Sequence, residues 1–130
     1  MITKNITAFD TQAHRIVGPF QIPDTPFHDD IMDAISSRRV MEIRYANDRL
    51  PRRFAPYLYR LAMNGNLTVL GMQIDNQNSL DGTLERRTFT VSKIKSLELT
   101  NDIFVPVDTF SPGAEQSHSS GIIECVVPWI

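Results

Sequence analysis

Residues 52–75 read RRFAPYLYRLAMNGNLTVLGMQID. An arginine pair opens the stretch, a Pro-Tyr step interrupts it, and Asn64-Gly65 offers the two positive-φ positions that a type I′ turn between twisted strands requires. The segment therefore reads as a β-hairpin. On its incoming strand Arg52, Phe54, Pro56, Leu58 and Arg60 alternate with Arg53, Ala55, Tyr57 and Tyr59. Proline cannot donate to a ladder, so Pro56 places this strand at an edge, or bends or bulges it there. The return, residues 67–74, is a nearly continuous apolar run expected to be buried on both faces, with Gly71 marking a bend or a close approach.

Upstream of the hairpin, Thr25-Pro26 has the form of an N-cap followed by proline at the first helical position, and Asp29 and Asp30 suit the positive end of the dipole. Phe27, Ile31, Ala34 and Ile35 then recur at helical spacing, and Arg38-Arg39 sit where a helix C-terminus favours cations. From Val40 the period changes to two: Met41, Ile43 and Tyr45 alternate with Glu42 and Arg44, and residues 46–48 supply a turn. Downstream, residues 75–84 form a polar loop with a turn at Asp81-Gly82. Arg87, Phe89 and Val91 share the next strand face, so Arg87 either snorkels from the rim or points its guanidinium into a partly buried pocket. Ile94, Leu97 and Leu99 follow in a fifth strand, Asn101-Asp102 turns the chain, and Phe104 and Pro106 close the domain. One helix before about five short strands is an α+β chain dominated by β, a small five-stranded antiparallel barrel with a leading helix.

The expected organisation is an arm over residues 1–24, the barrel domain over 25–108, a linker over 109–121 and an apolar tail over 122–130. The linker rests on SPGAEQSHSSG at 111–121. The tail, IIECVVPWI, has high β-propensity and carries Trp129, so it is expected to dock as a strand or fill a groove on its own or another subunit. A homodimer is the expected oligomer.

Length and composition bound the function. A chain of 130 residues with 42% hydrophobic and 22% charged residues has room for one globular core. No apolar run approaches the roughly 20 residues of a spanning helix, and the N-terminus lacks an apolar signal core, so a cytoplasmic protein without a membrane partner is expected. The lone Cys125 excludes an internal disulfide and reads as inert packing. His14, His28 and His118 show no metal-ligand spacing, no serine has a neighbouring base on a rigid element, and there is no Gly-rich phosphate loop. Neither catalysis nor a cofactor is expected. Charge is segregated: both flanks are acidic, whereas residues 38–60 carry seven arginines against Glu42 and Asp48. Such a run can be a solvated face, but arginine's planar fork also suits bidentate recognition of oxyanions.

Four motifs over residues 31–104 are similar to those of the WYL domain, the small Sm-like or SH3-like barrel of bacterial regulators and defence proteins. They are AISSRRVMEIRY at 34–45, RRFAPYLYRL at 52–61, NGNLTVLGMQID at 64–75 and RTFTVSKIKSLEL at 87–99. The triplet that names the family falls at Leu67, Thr68 and Val69, and an arginine usual in the closing element is Lys93. The resemblance implies a ligand-sensing module that binds nucleotide-like or single-stranded nucleic-acid ligands through a basic and aromatic pocket and tunes a regulatory partner, in transcriptional regulation or defence. Carried onto this chain, the pocket residues are Arg53 or its neighbour Arg52, Tyr57, Arg87 and Lys93. Loss of the aromatics at 67 and 68 removes a base-stacking platform and leaves phosphate capture. A second reading makes the barrel a scaffold and gives binding to the terminal segments, as in a protein-interaction or assembly subunit.

Overall fold

The computed structural model describes residues 15–17, 20–22, 25–78, 85–106 and 119–126. Within the stretch expected to be an arm, β1 (Arg15–Val17) and β2 (Phe20–Ile22) form a short antiparallel ladder. Helix α1 (His28–Ser36) starts two residues after Pro26. The expected N-cap at Thr25 is replaced: Phe27 takes the N-cap position with no side-chain cap, and Thr25 instead closes the turn before the helix, its hydroxyl accepting from Phe27 N at 3.4 Å and its carbonyl from His28 N at 3.2 Å. A helix of nine residues is marginal by itself in water, so packing holds it. Ile31, Ala34 and Ile35 are buried in the common core, where each large aliphatic side chain contributes about 1.5–3 kcal/mol. The two arginines after it do not cap its dipole. Arg38 reverses the chain in the left-handed region at φ 57°, and Arg39 opens the next strand, its Nε donating to the Thr100 carbonyl at 2.8 Å.

The main sheet comprises β3 (Arg39–Tyr45), β4 (Arg52–Ala62), β5 (Leu67–Asn76), β6 (Glu85–Thr90), β7 (Ile94–Ile103) and β8 (Ser119–Cys125), with a 3-10 turn at Val91–Lys93. Its order is β6-β5-β4-β3-β7, antiparallel throughout, with β8 added on β4. The expected closed five-stranded barrel is corrected on two counts. There are six strands, and among the described residues no pairing joins β6 to β7, so the sheet curls without closing. The sixth strand answers a need created by β4. At its N-terminal end, Arg52, Arg53 and Phe54 pair with β3, while Leu58 to Ala62 pair with β8 on the tail. Pro56 lies between these two pairings, beside a bulge in the β4–β5 register, where a missing N–H costs least. The proline thus bulges a central strand and does not mark an edge.

Two expected turns differ in detail. The Asn64-Gly65 hairpin is a three-residue loop: Gly65 N donates to Ala62 O at 2.9 Å, Ala62 N donates to Asn66 O at 2.8 Å, and only Gly65 has positive φ, at 89°. This is a type I turn followed by a left-handed glycine, and the Asn64 side chain accepts from Asn66 N at 3.0 Å instead of turning left-handed itself. Asn101-Asp102 lies inside β7, where a register shift opposite residues 39–41 bends the ladder without ending it. The Asp81-Gly82 turn, most of the linker and Trp129 fall outside the described residues.

Phe54, Phe89 and Tyr45 form the aromatic centre of the curl, with edge-on contacts at ring centroid distances of 4.8 Å (Phe54–Phe89) and 4.7 Å (Tyr45–Phe89). Residues 67–71 are buried on both faces, as the apolar run implies. Among the described residues no helix is long and apolar enough to cross a membrane.

Candidate functional site

Of the residues carried over from the resemblance, Arg52 is the most enclosed cation. Its Nε and Nη2 donate to the two carboxylate oxygens of Asp48 at 2.6 and 2.8 Å, its Nη1 donates to Gln73 Oε1 at 3.1 Å, and its guanidinium carbon lies 5.6 Å from the centre of the Phe89 ring. Burial by itself would raise the Asp48 carboxyl. Hydrogen bonds from Arg52 and from Tyr45 N outweigh it and, with the Arg52 charge, hold the group below the usual carboxylate range. The same pairing holds the Arg52 guanidinium above its ordinary value. This bidentate arrangement closes one end of the aromatic core and ties the β3–β4 turn to β5, a positioning task inside the fold.

Arg53 points to the opposite face of β4. There the strand register lines up Glu98, Glu42, Arg53 and Asp75 across β7, β3, β4 and β5. Arg53 bonds to Asp102 through Nη2 and lies 3.7 Å from Glu42 through Nη1. It is the cation in an acidic row, and it offsets the Glu42–Glu98 repulsion of directly opposed like charges. Tyr57 is 2% exposed and stacks on Phe104 with ring centres 5.5 Å apart, so its face belongs to the interior. Arg87 snorkels from the rim of the edge strand β6 and meets Glu85 at 3.1 Å, both side chains about four-tenths exposed, an arrangement of small net worth that an incoming anion can replace. Lys93 is exposed at the end of the 3-10 turn. The structure therefore brings Arg52 and Lys93 to the two sides of one loop, residues 45–50, and places Arg53, Tyr57 and Arg87 elsewhere.

That loop is the better-defined feature. Asp48 N closes it onto Tyr45 O at 2.9 Å, Ala46 takes φ 52°, and Ala46 N donates to Lys93 O at 2.9 Å. The Asn78 side chain accepts from Arg49 N and Leu50 N at 3.0 and 2.9 Å and donates to Leu50 O at 2.7 Å. Asn47, Asp48, Arg49, Leu50, Gln77 and Asn78 line a cavity of about 380 Å³ at this end of the sheet. Of the exposed cations near the loop, Arg49 lines the cavity, Lys93 is tied to Ala46 through its carbonyl, and Arg44 and Lys95 lie at the adjoining end of the β3–β7 ladder; none of their charged groups meets a carboxylate among the described residues. Arg44 and Lys95 carry no motif signal. Only the β3–β7 register, which sets Arg44 opposite Ser96 with Lys95 at the adjoining irregularity, shows that they are neighbours.

One polar contact of the core was likewise invisible in the sequence. His28 Nδ1 lies 3.0 Å from the Tyr59 hydroxyl, both residues buried, and pins α1 to β4. The Cys125 thiol is pushed up to about 11 by burial and then by the Glu124 charge, which keeps it protonated at neutral pH.

No family model matches the sequence, and no curated protein does. Among solved structures, part of proteasome accessory factor B/C of Arthrobacter aurescens is similar, with a TM-score of 0.51 and 18% identity over 69% of this chain. The match spans 14% of that protein's length. At this identity the likeness is one of fold, and it supports a WYL-like fold for the matched part of the chain.

Proposed function

We propose that this chain is a non-catalytic regulatory module that binds a nucleotide-like or single-stranded nucleic-acid ligand and modulates a partner, in transcriptional regulation or bacterial defence. The observation that carries the reading is the charge left over after internal pairing. Arg52 and Arg53 are spent on Asp48, Glu42 and Asp102, yet among the described residues Arg44, Arg49, Lys93 and Lys95 carry no ion pair, and they lie in or next to the loop 45–50 and the end of the β3–β7 ladder. A protein of net charge −2 that gathers bare cations at one end has the electrostatic footprint of an oxyanion binder. The WYL-like fold supports the same reading, since the motif resemblance implies ligand sensing on this frame.

Binding of labelled single-stranded RNA or DNA, followed by fluorescence anisotropy across a salt series, tests the proposal. Affinity should fall steeply with salt, and Arg44→Ala and Lys93→Ala should each weaken it about three- to tenfold. Absent or salt-independent binding would sink the idea. The alternative, assembly through the terminal segments, draws less support, because residues 119–125, the end of the expected linker and the start of the tail, are occupied as a strand on β4 of the same chain.

A further inference from the structure

The geometry points to a strand read through its phosphates, laid across Arg44, Lys93 and Lys95 at the end of the β3–β7 ribbon, in place of a mononucleotide held by the hairpin arginines. This rests on the nucleic-acid reading above and decides between its two ligand classes. The β3–β7 register sets Arg44 opposite Ser96 and Tyr45 opposite Ile94, so Lys95 is the extra residue of a bulge. Ile94 is buried, while Lys95, Ser96 and Arg44 are all exposed, so the bulge turns Lys95 out onto the face that carries Arg44. Lys93 joins them from the 3-10 turn, which is fastened to the same loop through its carbonyl. With strands about 4.8 Å apart and residues about 3.3 Å apart along them, the three backbone positions span roughly 10 Å. That span is short enough for the three cations to meet neighbouring phosphates of one strand.

Two further observations select the ligand. Binding a base requires an aromatic face near the cations. Here Phe54, Tyr57, Tyr59, Phe89 and Phe104 are buried, and the half-buried Tyr45 turns its ring to Phe89 and its hydroxyl to Thr90 N. Among the described residues, these cations offer charge for phosphates and have no exposed aromatic platform for a base beside them. The basic zone is also short: two residues further along the same face, Glu42 and Glu98 oppose each other. A duplex, whose major groove alone is about 12 Å wide, would overhang onto those carboxylates, whereas a single strand can cross the ribbon without meeting them.

The test measures anisotropy of a labelled oligothymidylate with wild-type protein, with the triple variant Arg44→Ser, Lys93→Ser, Lys95→Ser, and with Glu98→Lys. Wild type should bind with a log–log salt slope near −2, from about 0.7 per neutralised phosphate. The triple variant, with an unchanged thermal melt since none of the three side chains has a polar partner among the described residues, should lose about tenfold or more in affinity and most of the slope. Glu98→Lys extends the basic zone and should bind about threefold tighter or better. Oligothymidylate and oligoadenylate should bind alike, and thymidine monophosphate should not compete. If wild type binds but the triple variant keeps its affinity and slope, or the mononucleotide competes as well as the oligomer, the inference fails and the broader reading stands. If wild type binds no single strand at all, both fail.

Discussion

A methyl group at position 71 would lie 2.0 Å from the Ala55 carbonyl oxygen and 2.9 Å from the Phe54 ring, so β4 and β5 can approach beside Pro56 only across a glycine. Gly71→Ala must push backbone against backbone, and overpacking of that kind costs about 3 kcal/mol. The thermal midpoint should fall by about 10 °C, read by circular dichroism; a variant melting with wild type would show that the ladder yields there. Asp48 makes a pH-dependent contribution. Its carboxyl is held below the unfolded value of about 3.9, so its stabilisation is complete above that pH and is lost as pH falls through the lower, native value. Asp48→Asn should therefore be less stable than wild type at pH 7, and the gap should narrow below about pH 4 in urea titrations. Acid limbs that stay parallel would remove the assigned role. At this scale the sequence shows that residues 52 and 53 are arginines on opposite faces, but which acid each meets depends on loop 45–50 and on strand β7.

At the scale of elements, β4 is the strand with two partners on one edge. The β3–β4 pairing follows from adjacent amphipathic strands, whereas β8 comes from a segment far along the chain, and its pairing with Leu58 to Ala62 is a tertiary event. Leu58 and Tyr59 are wholly buried and Leu61 nearly so, in a half-strand whose one edge β8 covers. Truncation after residue 118 should accordingly cost several kcal/mol, about 3 or more, and broaden or abolish the cooperative melt. A truncated chain that melts normally but elutes at a different mass in gel filtration would instead favour assembly through the tail. Turn chemistry was legible in kind and not in detail. Asn-Gly announced the hairpin, but a local side-chain hydrogen bond from Asn66 N to Asn64 selected the three-residue loop over the two-residue one.

Across the whole molecule, folding rearranges charge more than it neutralises it. The sequence places seven arginines in one run between acidic flanks, and the simplest expectation is a single basic pocket. Antiparallel registry distributes them otherwise: Arg52 goes inward to Asp48, Arg53 into the row with Glu42 and Asp102, and Arg39 to a backbone carbonyl. What remains exposed without an ion pair among the described residues is a smaller group at the loop 45–50 end, joined by two lysines from outside the run. The curled sheet stays open between β6 and β7, bridged there by Tyr45, whose hydroxyl accepts from Thr90 N at 3.0 Å.

The sequence by itself determined the helix, its apolar stripe, the period-two strands, the central hairpin and the apolar return strand, and marked Gly71 as a bend or a close approach. Each is a property of neighbours within a few residues, where periodicity, φ restriction and capping act directly. The tertiary structure alone decided the sixth strand, the open sheet, the partners of each arginine and the meeting of Arg44 with Lys93 and Lys95. Those outcomes depend on which residues face one another across strands far apart in the chain, and a single-residue shift or bulge in register changes them while leaving every local pattern intact.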